Sequence, residues 1–418
     1  MKIHLRQDLF KVIFLLVFCF SGLLSIISII SGQFNYRNGI TVSLLILPLV
    51  LLGGLKLDKV TLWHVVLSVV ILLSGLVNKS TFQQTLFFLR NVIFSYLIYN
   101  LVQLCVRQEN IRQILKWCVL VALVQLPIIL IQKAIYPYLP SAVHQRIYAI
   151  DIGTGSFDIN NDPGMTFFLV LIIIFLLFDN KRNYFIKKKW LILPWLTLTI
   201  FIAEAEMLKL IVLMVWGIYL LVRFRSKQIF YGLLILIILV GTLASIGVFN
   251  KPIESMLKTI KGSLSVSEGA TEKFLSGSYA RGAAINYYLT RGISLLGDGP
   301  SKYIDVFTRQ KFVGNNGHLL AFYSEVGLMG WLSSVIIFFV ISFPKRRKRD
   351  HIYWSTLLRF ISLMLLTITS FVMDNTAILL IFNIMSMIYL VPENTKPMQQ
   401  QSVSEERLPG IDAMGISE

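Results

Sequence analysis

The chain has little of what a soluble enzyme uses. Only 15% of its 418 residues are charged and 56% are hydrophobic, with a mean hydropathy of +0.71. A water-soluble globule needs far more polar surface, so that class is excluded. Three cysteines, Cys19, Cys105 and Cys118, fall inside apolar runs. They are too few and too scattered for a disulfide framework or a zinc site, and read as packing residues. There is no P-loop and no GxGxxG leading into a helix of a βαβ unit. An ATP-driven machine or a dinucleotide enzyme is therefore unsupported. Asp151, Asp158, Asp162 and Asp298 show no metal-ligand spacing, so neither a metal nor a cofactor is expected. No internal repeat is visible. The N-terminus carries Lys2, Arg6 and Lys11 before a long apolar run. It lacks a small-x-small cleavage site, which makes it an uncleaved first span rather than a signal peptide.

Acidic residues are also scarce, 22 against 39 basic ones, for a net charge of +17. The basic residues do not gather on one soluble face, and no nucleic-acid partner is implied. They sit in short clusters between apolar runs, as the positive-inside rule produces.

Those runs are near twenty residues long, enough to cross a hydrocarbon core roughly 30 Å thick. The expected fold is all-α, a polytopic membrane protein of about twelve transmembrane helices. Candidate spans are 10–30, 39–56, 60–77, 85–106, 112–135, 164–178, 189–206, 208–222, 229–248, 318–342, 352–372 and 375–391. Glu204, Glu206 and Lys209 interrupt 189–222, which reads as one broken hairpin or as two spans. Lys and Arg concentrate in alternate connections, from Lys56 and Lys59 to the Lys345–Arg349 cluster. Both termini are then cytoplasmic and the long 249–317 loop is outside. That loop is expected to hold short helices. One, with Ile253, Met256, Leu257, Ile260 and Leu264 on one face, suits the membrane surface, and Ser278 can cap a second. The outer loop 136–163 ends in turn formers, Asn160 to Gly164. Residues 1–391 are expected to form one membrane domain, and the polar tail 392–418 to be disordered.

The most informative stretch is 277–330, the end of the long loop and the first turns of the next span. His318 stands where the polar segment re-enters the bilayer, and its near-neutral titration suits proton transfer. An interfacial anchoring histidine is the plainer reading. Glu325 lies seven residues on, on the same face and about 10 Å deeper at 1.5 Å per residue. A carboxylate there faces a cavity or an ion-pair partner. Arg281 and Arg291 suit bidentate phosphate binding, or simple contact with lipid head groups. Arg90, within the fourth span, and Lys209 could join them around a diphosphate. Gly327 and Gly330 are expected to allow close helix packing.

Several of these pieces resemble the O-antigen ligase/polymerase superfamily of bacterial membrane glycosyltransferases. They are Tyr279-Ala280-Arg281, Leu296-Gly297-Asp298-Gly299-Pro300, His318 after Asn315 and Asn316, and Glu325-Val326-Gly327-Leu328-Met329-Gly330. The NNDPG run before the sixth span is similar too. Two places depart from the family pattern. A Ser-Arg pair at the outer end of a mid-chain span is replaced by IAEAEMLKL, and His318 is followed by Leu319 rather than Asn. The resemblance implies a single transmembrane glycosyltransferase domain in a bacterial inner membrane. It would polymerise undecaprenyl-diphosphate-linked oligosaccharide units at the outer face without a metal. His318 and Arg281 would be catalytic, with Arg90, Lys209, Arg291, Asn316 and Glu325 holding substrate. Besides the lipid-linked oligosaccharide and membrane lipids, a chain-length regulator and a flippase would be partners. A ligase moving finished glycan onto lipid A-core is the near alternative. A lipid-linked oligosaccharide flippase is the alternative from another class.

Overall fold

The computed structural model describes residues 2–31, 57–139, 152–158, 162–179, 189–203, 205–223, 238, 241–242, 291–302, 317–343 and 351–391. Every regular element among them is helical. The expected spans 39–56 and 229–248 lie wholly or almost wholly outside the described residues. So do the surface helix at 253–264, the Ser278 cap, Arg281, Asn316 and the tail.

In chain order the helices are α1 (Lys2–Leu15), continued through a π-turn (Leu16–Phe20) into α2 (Ser21–Ser31), then α3 (Lys59–Val77), α4 (Phe82–Cys105) and α5 (Ile111–Ile135). There follow α6 (Asp162–Phe178), α7 (Lys189–Ile202), α8 (Glu206–Arg223), α9 (His318–Ser342), α10 (His351–Thr369) and α11 (Thr376–Ser386). Five stretches are long and apolar enough to cross a membrane: Asp8–Ser28, Lys59–Val77, Phe82–Cys105, Ile111–Tyr138 and His318–Ser342. The chain is a membrane protein. The 189–222 stretch resolves into two helices, α7 and α8, parted at Ala203–Ala205.

The core is built around α6. From Met165 to Phe178 no hydrophobic side chain on it is more than 2% exposed, and α5, α7, α8, α10 and α11 pack on it. A helix that is apolar all round belongs inside. Against this core stands an antiparallel hairpin, α3 and α4. Asp58 and Thr61 form a capping box on α3, and Thr81 and Gln84 form one on α4, satisfying orphan N–H groups at both starts. The hairpin seam is polar. Tyr99 donates to Asp58 at 2.5 Å, Thr61 meets Tyr96 at 3.3 Å, and His64 Nε2 lies 3.5 Å from Ser95 Oγ. Further along, Gly75 brings the backbone of α3 onto the Thr85 side chain.

Two irregular segments are held among the helices, the first buried and the second part-buried, which is tolerated at membrane depth only where protein satisfies the backbone. The first is 152–158. The Gln125 and Gln132 side chains accept from the Ser156 and Gly155 N–H groups, each at 2.9 Å. Gly22 N–H donates to the Ser156 carbonyl at 3.1 Å, the Phe18 carbonyl accepts from the Ser156 hydroxyl, and Ser25 donates to Asp158. The second irregular segment is 294–302, and it builds the candidate site.

Candidate functional site

Helix α9 is not a straight rod. His318 and Phe338 ring centroids are 5.7 Å apart, whereas twenty residues of straight helix would separate their Cα atoms by about 30 Å. The bend is at Gly327, whose backbone is non-helical (φ 73°, ψ −166°). This corrects the expectation that Gly327 serves close helix packing: it breaks the helix into arms 318–326 and 328–342. The first arm starts beside the end of α10, with His318 N–H donating to the Ser370 carbonyl at 3.0 Å. The second ends beside the start of α10, where Phe343 packs on Tyr353 and Phe360. The long hydrophobic run therefore contributes only its second arm, roughly 22 Å at 1.5 Å per residue, as the part antiparallel to α10.

A break exposes helix-end groups, and here the 294–302 segment takes them. Carbonyls of the first arm are capped by N–H groups of the loop, Asp298 N to Ser324 O at 2.7 Å and Gly299 N to Glu325 O at 3.0 Å. Amides of the second arm go to loop carbonyls, Leu328 N to Ser294 O at 2.9 Å and Met329 N to Leu295 O at 3.2 Å. Ser74 of α3 shares its one hydroxyl proton between the two sides of the crossing, 2.5 Å from Leu296 O and 2.9 Å from Glu325 O. Lys302 donates to the Asn78 carbonyl, and Ser301 Oγ donates to the Gln84 carbonyl at 3.1 Å. The segment is thus sewn to α3, to α4 and to both arms of α9.

His318 and Glu325 share the first arm. The His318 ring is 1% exposed and sits among Phe322, Phe371 and Phe338, at centroid distances of 4.3, 5.2 and 5.7 Å. Neither ring nitrogen has a hydrogen-bond partner. It is enclosed, not an interfacial anchor. Glu325 is fully buried. Its Oε2 accepts from the Ser301 N–H at 2.7 Å, and its Oε1 has no partner. The arrangement offers an imidazole with both nitrogens unpartnered in an aromatic cage, two turns from a carboxyl.

The other predicted residues do not all converge there. Arg291 pairs with Asp298, its Nη1 2.7 Å and 2.8 Å from the two carboxylate oxygens, so it reaches the segment but its charge is already met. Arg90 is exposed, its guanidinium over the Phe87 ring at 4.4 Å. Two residues earlier, Phe88 faces inward onto Phe322 at 5.0 Å, so Arg90 points away from the His318 cage across α4. Lys209 stands in the first turns of α8, which packs on α6, α7 and α10. Arg281 and Asn316 lie outside the described residues.

Three features were missed in the sequence. Ser74 carries no motif. Gln125 anchors the other buried segment from mid-helix, a long polar residue inside an apolar run. Arg359 is 4% exposed and donates to the Met385 carbonyl at 2.8 Å and to Thr356 Oγ1 at 3.1 Å. A charge in the middle of span 352–372 was the available signal. Among the described residues no group of three or more His, Cys, Asp or Glu could hold a metal. No protein-family model matches the chain, and no curated protein matches it.

Proposed function

We propose that this protein is a membrane glycosyltransferase. It polymerises undecaprenyl-diphosphate-linked oligosaccharide units at the outer face of a bacterial inner membrane, with about twelve spans and both termini cytoplasmic. One observation carries the reading. The two motif pieces, 296–300 and 325–330, interlock backbone to backbone at a broken helix whose first arm presents His318 with both nitrogens free. In the reaction, a hydroxyl of one repeat unit attacks the anomeric carbon of the growing chain. The new carbon–oxygen bond forms as the bond to the lipid diphosphate breaks, and the diphosphate leaves with the electron pair. His318 takes the hydroxyl proton. Arg281 neutralises the charge growing on the diphosphate, where preorganised charge contributes most. Asn316 and Lys209 bind substrate, Arg291 joins them when a diphosphate oxygen takes the place of Asp298 on its guanidinium, and Arg90, on the outer side of α4, is assigned to the donor lipid's head group. Phe322 and Phe371 must part to admit the acceptor.

The test compares surface glycan from cells carrying wild type, His318→Ala and Arg281→Lys on a length-resolving gel at matched membrane expression. A ladder in wild type and a single attached unit in both variants supports a polymerase. Loss of all attached glycan with normal lipid-linked chains accumulating means a ligase instead. Unchanged profiles remove His318 and Arg281 from the site.

A second reading, a lipid-linked oligosaccharide flippase, is favoured by a different observation. Transporters place buried charges at discontinuous helices, and Glu325 sits beside such a break.

A further inference from the structure

Among the described residues, no positive charge meets the carboxyl at the break in α9. Glu325 is fully buried near the carbonyl end of the first arm, where the helix dipole is negative. One carboxyl oxygen accepts from the Ser301 N–H, and the other is unpartnered. A second buried oxygen, Ser80 Oγ, is also unpartnered. It lies against Gly299, so both oxygens flank the turn 299–301. Among the described residues, three cations near the turn or on α4 are otherwise engaged. Lys302 is turned to the Asn78 carbonyl, Arg291 is held by Asp298, and Arg90 faces outward over Phe87. His318, on the same arm, is enclosed by phenylalanines. From α3 the groups facing the turn are the uncharged Ser74 and Asn78. A bare carboxylate in such surroundings is the costliest arrangement available.

We propose that Glu325, with Ser80 at the other end of the turn 299–301, is a binding site for one monovalent cation, a proton or a sodium-sized ion, taken up and released as the 294–302 segment seats and lifts. With the cation bound, the site is neutral and the segment lies on the break as described. With the cation gone, the buried charge drives the carboxyl toward water and withdraws the acceptor from the Ser301 N–H. The site does not depend on the glycosyltransferase reading and would serve a transporter equally.

Hydrogen–deuterium exchange on the full-length protein in nanodiscs tests this, reading the 294–302 peptide against α11 as internal reference. In the proton arm, sodium is absent and pH is raised from 6 to 9. Protection, corrected for intrinsic base catalysis, falls by up to about tenfold per pH unit, the limit for one proton. In the sodium arm, sodium replaces choline at fixed pH and ionic strength, and protection rises with sodium. A response in either arm supports the site and names its ion, provided Glu325→Gln abolishes it. The glutamine carbonyl still accepts from Ser301, so that variant stays seated at every pH. Lys302→Gln keeps the wild-type response. Protection that ignores both pH and sodium in wild type overturns the proposal, as does a response that survives Glu325→Gln.

Discussion

Gly297 and Gly327 face each other backbone to backbone across the break in α9, both at positive φ, 67° and 73°. A Cβ on Gly297 would lie 2.7 Å from the Gly327 nitrogen, and one on Gly327 would lie 2.5 Å from the Gly297 nitrogen. Neither position has room for a methyl group, and the two requirements are one requirement seen from each chain segment.

Gly297→Ala and Gly327→Ala should therefore each destabilise the protein strongly. The backbone conformation alone costs roughly 1–3 kcal/mol in a non-glycine residue, and the overlap adds to it. Thermal unfolding of the detergent-purified protein should fall for both. Gly241→Ala is the control, since among the described residues nothing lies within 4 Å of the Cβ it would add.

Ser74→Ala removes a side chain that bonds both the loop and the first arm, at Leu296 O and Glu325 O. The Glu325 carbonyl keeps the Gly299 N–H, so the loss is about 1–2 kcal/mol, smaller than for either glycine. A drop equal to that of Gly327→Ala would mean that Ser74, not the glycine crossing, holds the break.

His318→Leu should separate stability from activity. Two buried nitrogens without partners cost free energy, and an apolar side chain in the phenylalanine cage relieves about 1–3 kcal/mol. The variant should unfold at a higher temperature than wild type while losing the glycan ladder. A lower unfolding temperature would show that the ring nitrogens are hydrogen-bonded in the folded protein.

Gln125→Leu should loosen the other buried segment. Gln125 accepts from the Ser156 N–H and donates to its hydroxyl, both at 2.9 Å. An unpaired buried amide costs about 1–3 kcal/mol. The check is faster exchange at 152–158 with the 294–302 peptide unchanged.

Composition was enough to identify the membrane class, and hydropathy placed α3, α4, α5 and α9 within a few residues, because each is a single apolar run between polar turns. Hydropathy could not show that α9 bends. The stretch on both sides of Gly327 is equally apolar, and a glycine inside a helix-length run reads as a packing site. The partners that make the break tolerable, Ser74 and the 294–302 backbone, are set by tertiary contact and leave no periodic trace. The residues of the LGDGP and EVGLMG pieces were legible as a motif, but not as two halves of one crossing. For Arg90, hydropathy shows its presence in a span and not its direction. Only the inward turn of Phe88 shows that it looks away from His318.

The enclosure of α6 bears on how the chain is made. Two of the helices that cover it, α10 and α11, are translated well over a hundred residues after it leaves the ribosome. Until then bilayer lipid can stand in for them, because acyl chains are as apolar as the side chains that later replace them. The polar seam of α3 and α4 has no such substitute in the membrane. Its two helices are consecutive in sequence, joined by a tight turn, and so pair with each other as soon as both are inserted. The order of helices along the chain thus lets the strands of polar contact close early and leaves the oily centre to be covered last.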